Sequence, residues 1–309
     1  MDQAQQLRAL VKMHDEKINA EPKSYTNVAK VIAITSGKGG VGKSSISINL
    51  AMQLANLGKR VIIIDADIGL ANVEVMLGIK PKYDLGDLMY GEKKLSEIIT
   101  EGPMGIKFIS GGTGIHQLNN LSHEQVMSMT SRLYELDEMA DYIIVDTGAG
   151  ISDIGKQFIK SSSEVLVVVT PEPTSITDAY AVIKELNRER DNMAEGTSVK
   201  MISNRVRDEK DGEGLYERLN SVVKMYLEIK LEYLGSVVQD INISKSILSQ
   251  QPISTMFPNS AAVKSIRKLA HLILNDEDKV QTKGISGIFT QLLFGSFVNK
   301  KGEVTNGVR

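Results

Sequence analysis

The sequence predicts an α/β protein with a doubly wound, mainly parallel β-sheet and helices on both faces. Short apolar runs rich in β-branched residues alternate with helical patterns, which is typical of a parallel sheet covered on both sides. A glycine-rich segment stands between the first run and the first helical pattern, and two runs end in aspartate. Ligands of such sheets bind at the carboxyl ends of the strands, so these features predict one functional edge.

The individual elements follow from apolar periodicity. Seven runs have the pattern of buried strands: Val31–Thr35, Val61–Ile64, Ile106–Ser110, Tyr142–Val145, Val165–Thr170, Val199–Ser203 and Leu234–Val238. Helical patterns separate most of these runs, among them Ser44–Leu57, Ser122–Met139, Thr174–Asn192, Gly214–Glu228 and Asn259–Leu274. Pro258, Asn259 and Ser260 form a start signal for the last of these helices.

The chain of 309 residues divides into three blocks. Residues 28–275 carry the alternating pattern and are predicted to form one α/β domain. Residues 1–24 have the pattern of a polar helix with a thin apolar stripe, which suits a partner-binding segment; a solvated leader is the alternative. Residues 276–309 combine a charged linker, an isolated apolar segment and a polar tail.

Composition excludes several classes of protein. The chain has no cysteine, which removes disulfides, thiolate metal sites, iron–sulfur clusters and cysteine nucleophiles. Its 36 basic and 38 acidic residues give a net charge of −2, which excludes a globally basic nucleic-acid binder but not a local basic patch. There is no secretory-type apolar stretch at the N-terminus and no apolar run long enough to span a bilayer, so a cytoplasmic protein is expected.

The segment VIAITSGKGGVGKSS predicts a phosphate-binding loop, because it follows a strand and opens a helix. Gly37, Gly42, Lys43 and Ser44 satisfy the pattern G-x4-G-K-S. Glycines allow backbone N–H groups to curl around phosphate oxygens, and the following helix adds its positive end. Lys43 is expected to reach the β- and γ-phosphates, and the Ser44 hydroxyl to bind Mg²⁺.

Lys38 is a second lysine that an ordinary phosphate loop does not need. At the rim of the loop it is expected to point away from its own nucleotide, towards a nucleotide in a partner subunit. There it would neutralise charge that develops during phosphoryl transfer, as an arginine finger does.

Two strand ends carry the acidic residues of the predicted site. Asp65 and Asp67 follow one strand in DADIG, and Asp146 ends another in DTGAG. A single aspartate in this position is more often a turn former, but two such ends beside a phosphate loop favour a functional role. We expect Asp146 to hold a Mg²⁺-bound water, Asp65 to support the metal and Asp67 to orient the attacking water.

The motifs GKGGVGKSS, DADIGLAN and DTGAG resemble the deviant-Walker-A group of P-loop ATPases, which includes MinD, ParA and the nitrogenase iron protein. The resemblance covers about residues 28–275. It implies ATP, ADP and Mg²⁺ as ligands, an ATP-bound homodimer that becomes monomeric with ADP, and ATP hydrolysis that uses Lys38, Lys43 and Asp67. It also implies that Asn204, in MISNRV, reads the adenine. The implied nucleotide-binding residues are Gly37, Lys38, Gly39, Gly40, Val41, Gly42, Lys43, Ser44, Ser45, Asn204 and Arg205.

The ends of the chain and the missing cysteines sort the branches of this group. Iron–sulfur branches need cysteines, whereas DQAQQLR near the N-terminus and DIGLANVEVMLG resemble the FlhG (YlxH, FleN) family. That resemblance implies control of flagellar number and placement, with stimulation of the GTPase FlhF and contacts to flagellar switch-complex proteins of the FliM/FliN type. The implied FlhF contacts are Asp2, Gln3, Gln6, Leu7 and Arg8.

An apolar stripe near the C-terminus predicts an amphipathic membrane-binding helix. The stripe consists of Ile285, Ile288, Phe289, Leu292, Leu293 and Phe297. Residues from 283 onward include four basic side chains and one acidic one, a net charge of +3 that suits anionic lipid. We therefore expect a peripheral position on the inner face of the cell membrane when ATP is bound; packing on its own domain is the alternative.

Three other functions stay open from the sequence: a ParA-like DNA-partitioning ATPase, a MinD-like division-site regulator and a nucleotide-gated scaffold with negligible hydrolysis. The DNA function would use the basic set Lys264, Arg267, Lys268 and His271 of the last helix. Basic residues at this spacing more often form a solvated helix face, so nucleic acid is not an expected partner.

Overall fold

The computed structural model describes residues 28–67, 72–89, 93–112, 135–150, 153–193 and 196–276. Within these ranges eight strands form one sheet in the order β3-β4-β2-β5-β1-β6-β7-β8. The strands are β1 (Lys30–Ser36), β2 (Val61–Ala66), β3 (Thr100–Glu101), β4 (Lys107–Ile109), β5 (Tyr142–Ala149), β6 (Glu164–Val169), β7 (Ser198–Val206) and β8 (Leu231–Val238). All neighbouring strands are parallel except β3 and β4, so the predicted doubly wound α/β class is confirmed.

Helices cover both faces of the sheet. They are α1 (Lys43–Asn56), α2 (Asn72–Leu77), α3 (Leu85–Met89), α4 (Leu95–Ile98), α5 (Asp153–Ser161), α6 (Pro173–Arg188), α7 (Glu209–Tyr226), α8 (Ile241–Leu248), α9 (Ile253–Met256) and α10 (Ala261–Asn275). Short 3₁₀ turns occupy Pro103–Gly105 and Arg190–Asn192, and residues 135–139 are also helical. The predicted helix Ser122–Met139 otherwise lies outside the described residues, as do the FlhF-contact motif and the C-terminal stripe.

The central strand β1 shows how the two faces are built. Ile32 and Ile34 pack in the cluster that contains α1 and α10, whereas Ala33 packs with α6 and α7 on the other side. Successive side chains of a strand point to opposite faces, so a strand buried on both faces must be continuously apolar. The sequence of β1 has this property.

The chain order places β1 where the winding direction reverses. From β1 the chain moves to β2 on one side, returns to β5, and then crosses to β6 on the other side of β1. Asp65 of β2 stands directly opposite Asp146 of β5 in the sheet register. This reversal brings the carboxyl ends of β1, β2 and β5 together, and the crevice at such a point is where ligands bind.

Some boundaries differ from the predicted ones for local reasons. Helix α7 begins at Glu209, five residues before the predicted start, because the Asp208 side chain caps it by accepting the N–H of Asp211 at 2.8 Å. Helix α10 begins at Ala261, after Ser260 accepts the N–H of Val263. No helix in the described ranges has the length and apolar character required to cross a bilayer.

A buried chain of charges lies near the amino ends of the strands. Glu164 is fully buried, and its two carboxylate oxygens lie 2.8 Å from Lys30 Nζ and 3.0 Å from Lys200 Nζ. Lys200 Nζ also donates to Asp276 Oδ2 at 2.7 Å, just beyond the end of α10. Burial acts to lower the pKa of Lys200, but the two facing carboxylates outweigh it and the pKa is raised.

This arrangement predicts a large cost for removing the shared anion. Glu164→Ala removes the carboxylate that two buried lysines, Lys30 and Lys200, share. We expect the free energy of unfolding to fall by about 3–5 kcal/mol in denaturant titrations. The control Glu232→Ala removes the partner of the exposed Lys230 and should reduce the free energy of unfolding much less, because solvent screens an exposed pair. Equal losses of unfolding free energy in the two variants would contradict the role of Glu164 as the shared anion of the two buried lysines.

Candidate functional site

The phosphate loop, residues 37–42, connects β1 to α1 at the carboxyl edge of the sheet. Gly37 lies against α6 so closely that a Cβ atom there would stand 2.3 Å from the carbonyl oxygen of Asp178. Gly42 has a φ of 95°, and a Cβ atom there would lie 2.5 Å from the amide nitrogen of Asn204. Both motif glycines are therefore required by backbone geometry and not only by the phosphate that the loop would bind.

The motif lysine and the aspartate of β5 form a buried ion pair. Lys43 Nζ lies 3.0 Å from Asp146 Oδ1, and their side chains are 7% and 0% exposed. Ser47, one turn further along α1, donates its hydroxyl to the same oxygen at 3.0 Å. The other oxygen, Asp146 Oδ2, is buried and has no hydrogen-bond partner.

This donor set fits a magnesium ion that arrives with a nucleotide. Mg²⁺ prefers oxygen ligands and usually combines one or two protein groups with phosphates and waters. The unpaired Asp146 Oδ2 and the Ser44 hydroxyl at the start of α1 are groups of this kind. No three His, Asp or Glu side chains in the described ranges are grouped as a metal site.

Asp65 accepts hydrogen bonds from the backbone just after β2 and at the start of α2. Its Oδ1 accepts the N–H of Asp67, and its Oδ2 accepts the N–H of Val73 in the first turn of α2, each at 3.1 Å. Burial, followed by the charge of Asp146, raises the pKa of Asp65 to about 7 against these two hydrogen bonds. Its predicted support of the metal stays a prediction, whereas its contact with Val73 fastens the start of α2 to the end of β2.

Asp67 stands at the rim of the site in a fixed orientation. Asn72 Nδ2 donates to Asp67 Oδ2 at 2.8 Å. Gly148 of the DTGAG motif makes room for the other oxygen, since a Cβ atom at Gly148 would lie 2.9 Å from Asp67 Oδ1. Partial burial raises the pKa of Asp67, while the charge of Lys43 acts in the opposite direction.

Lys38 is held by the N-terminal region of α6 within the same chain. Its ammonium group donates to Glu172 Oε2 at 2.8 Å and to Thr174 Oγ1 at 3.0 Å. The hydrogen bond from Lys38 lowers the pKa of Glu172. The Lys38 side chain is 39% exposed, so it lies at the surface; its action on a partner subunit stays a prediction.

Asn204 and Arg205 of β7 contact the carbonyl groups of the loop. Asn204 Nδ2 donates to the Val41 carbonyl and Arg205 Nη2 to the Gly40 carbonyl, each at 2.6 Å. Asn204 Oδ1 is buried and has no partner, and an amide oxygen of this kind can accept an N–H of adenine. The adenine contact that the resemblance implies stays a prediction.

Sequence reasoning missed four side chains that shape the site: Ser47, Asn72, Glu172 and Thr174. Asn72 ends the recognised motif DADIGLAN and Ser47 lies two residues beyond GKGGVGKSS, but nothing in their spacing indicated their targets. Glu172 meets Lys38 across 134 residues of sequence, and Thr174 across 136. Such contacts depend on the strand order, which short-range patterns do not contain.

The basic set on α10 is partly engaged within the chain. Arg267 Nε donates to Gln53 Oε1 at 3.1 Å, and Lys268 lies 3.4 Å from Glu209. These contacts favour the interpretation of the set as an ordinary helix face.

The raised pKa of Asp65 predicts a pH dependence of stability. With its pKa raised from 3.8 to about 7, the folded protein retains a proton that the unfolded chain releases, so this group lowers stability as pH rises through that window. Asp65→Asn removes the titration. Relative to this variant, the nucleotide-free wild type should lose up to about 1.4 kcal/mol per pH unit between about pH 4 and 7. Denaturant titrations across this range would measure the difference; parallel stability curves would contradict it.

Comparison with known proteins agrees with this geometry. The family model ParA: NUBPL iron-transfer P-loop NTPase matches residues 27–274. Antiactivator FleN of Pseudomonas aeruginosa is 38% identical over 244 residues, which cover 79% of this chain and 86% of FleN. Flagellum site-determining protein YlxH of Helicobacter pylori is 35% identical over 297 residues, which cover 94% of this chain and 98% of YlxH.

Solved structures lead to the same group. MinD of Aquifex aeolicus is 28% identical with a TM-score of 0.62, and the match covers 80% of this chain and 98% of MinD. The absence of cysteine from this chain means that the family match supports the P-loop NTPase fold and not a thiolate-bound cluster. The chain belongs to the MinD/ParA group of P-loop NTPases and, within that group, to the FleN/YlxH (FlhG) family.

Proposed function

We propose that this chain is a Mg²⁺-dependent ATP hydrolase that acts as a nucleotide-controlled switch in setting the number and placement of flagella. The observation that carries the enzymatic part is the buried Lys43–Asp146 pair with its unpaired Asp146 oxygen beside the loop. The flagellar part is supported by relatives whose names describe an antiactivator and a flagellum site-determining protein.

The residues of the site divide the chemical work. The amides of the loop and Lys43 bind the phosphates, and Asn204 Oδ1 accepts a hydrogen bond from the adenine. Ser44 and Asp146 hold Mg²⁺, which neutralises charge on the phosphate oxygens when it is bound. Asp67, fixed by Asn72, orients the water that attacks the γ-phosphate.

Dimerisation requires Lys38 to change partners. Within one chain its ammonium group is neutralised by Glu172, so it must leave Glu172 to reach a nucleotide in a second subunit. Because this ion pair is exposed, solvent screens it and Lys38 can exchange partners readily. ATP, with one more phosphate than ADP, offers the stronger anion, which would favour a dimer with ATP and monomers with ADP.

Two substitutions separate water orientation from action across the dimer. Asp67→Ala should bind ATP and stay dimeric without hydrolysing it, because the phosphate loop is intact. Lys38→Ala should bind nucleotide but fail to form an active dimer, and its turnover should fall about 10³-fold or more, by analogy with arginine fingers. Size measurements in ADP, ATP and a non-hydrolysable analogue, together with phosphate release, test both.

The matched control for Lys38 is Lys224→Ala, which removes an exposed lysine from α7. It should dimerise and hydrolyse ATP as the wild type does. A Lys38→Ala protein that does the same would contradict action across the dimer. ATP-dependent dimers without hydrolysis in the wild type would point to a nucleotide-gated scaffold.

The N-terminal segment is proposed to stimulate the GTPase FlhF. Residues 2–20 carry a thin apolar stripe and several glutamines that can make directional contacts. Their deletion should leave ATP binding unchanged and abolish the stimulation of FlhF GTP hydrolysis. Loss of the folded ATPase upon deletion would show that the segment is structural. Switch-complex proteins of the FliM/FliN type are further proposed partners.

The C-terminal stripe is proposed to bind anionic membrane peripherally, with two copies in an ATP dimer binding more tightly than one. Phe289→Glu should abolish ATP-dependent sedimentation with anionic vesicles, because it places a charge in the apolar stripe. The matched control Gln291→Glu adds the same charge outside the stripe and should reduce binding much less. Equal vesicle binding by wild type and Phe289→Glu would overturn the proposal.

A further inference from the structure

Two neighbouring peptide units of the phosphate loop are fixed from outside by adjacent residues of β7. Arg205 donates a hydrogen bond to the Gly40 carbonyl and Asn204 donates one to the Val41 carbonyl, both at 2.6 Å. In a trans peptide the carbonyl and the following N–H point in opposite directions. The N–H groups of Val41 and Gly42 are therefore turned away from β7, on the side of the loop where they are free to receive an anion.

The backbone of Arg205 is held in an unfavourable conformation to make this contact. Its φ is 57°, a left-handed value that few residues other than glycine adopt. The pairing of β7 with β8 shifts register between Asn204 and Val206, so the strand is irregular at Arg205. Strain of this kind persists only where the surroundings enforce it, and it is concentrated at functional sites.

We propose that Arg205 is a positioning residue, which presets the amide directions of the phosphate loop through the Gly40 carbonyl. This inference rests on the proposed binding of ADP and ATP at the loop, and it gives Arg205 an indirect role in place of a nucleotide contact. Preorganised amides bind an anion more tightly, because no binding free energy is used to order the loop. Asn204 supports the same loop, but its proposed contact with adenine makes it unsuitable as a test.

The left-handed backbone of Arg205 provides the decisive variant. Arg205→Gly removes the guanidinium and also relieves the strain, so the nucleotide-free protein should be as stable as the wild type or more stable. Its affinity for Mg-ADP, measured by calorimetry, should nevertheless fall about ten-fold. If Arg205 had a purely structural role, the affinity for Mg-ADP would fall only in a variant that is also less stable. Arg205→Lys, which keeps the charge and one donor group, should restore part of the affinity.

Two further measurements separate positioning from other roles of a nearby cation. Arg207→Ala removes the same charge two residues away, where the side chain pairs with Asp211, and should leave Mg-ADP affinity within about two-fold of the wild type. Hydrogen exchange of residues 37–43 in the nucleotide-free protein should be faster in Arg205→Gly than in the wild type. A direct nucleotide contact predicts no such change.

The outcomes distinguish this inference from the proposed function. If the wild type binds Mg-ADP and Arg205→Gly binds it equally well, or if loop exchange is unchanged, the positioning role is wrong. If Arg207→Ala weakens binding as much as Arg205→Gly, general electrostatics explains the effect and the role is also wrong. A wild type that binds neither ADP nor ATP would overturn the proposed function itself.

Discussion

The buried ion pair between Lys43 and Asp146 is the interaction on which the site depends. It joins the first residue of α1 to Asp146, three residues before the end of β5, and both side chains are shielded from water. Either charge left alone in this position would be unfavourable by several kcal/mol, so the loop, the helix start and the strand end must be present together. Ser47 donates a second hydrogen bond to Asp146 Oδ1, whereas Asp146 Oδ2 has no partner. The protein's own groups thus satisfy only one of the two Asp146 oxygens.

Negative charge is in excess around this pair. The pKa values of Asp65 and Asp67 are raised by burial and by the charge of their neighbour Asp146, whereas the charge of Lys43 lowers the pKa of Asp67. A divalent cation that enters with a nucleotide would relieve this repulsion.

Local sequence patterns were sufficient to predict the long, periodic elements of the fold and insufficient to predict the short ones. Strands β1, β5 and β6 are long continuous apolar runs, and α1, α6 and α10 each contain several helical turns, so their periodicity is visible in the sequence. Helices α4 and α9 have four residues each, too few to show a helical period, and the two-residue β3 pairs only because β4 lies beside it. In the site, the glycines, Lys43 and the strand-terminal aspartates follow from motif chemistry. The hydrogen bonds of Lys38 with Glu172 and of Arg205 with the Gly40 carbonyl depend on which strands become neighbours. Only the three-dimensional structure contains that information.

The contact of Lys200 with Asp276 bears on where the folded unit ends. Helix α10 stops at Asn275, but the next side chain still balances a buried lysine of the sheet. The point at which the remaining residues leave the domain is therefore fastened by charge to β7, on the far side of the molecule from the phosphate loop. The position from which the last 33 residues start is therefore set by an ion pair with the sheet, and not only by the last turn of the helix before them.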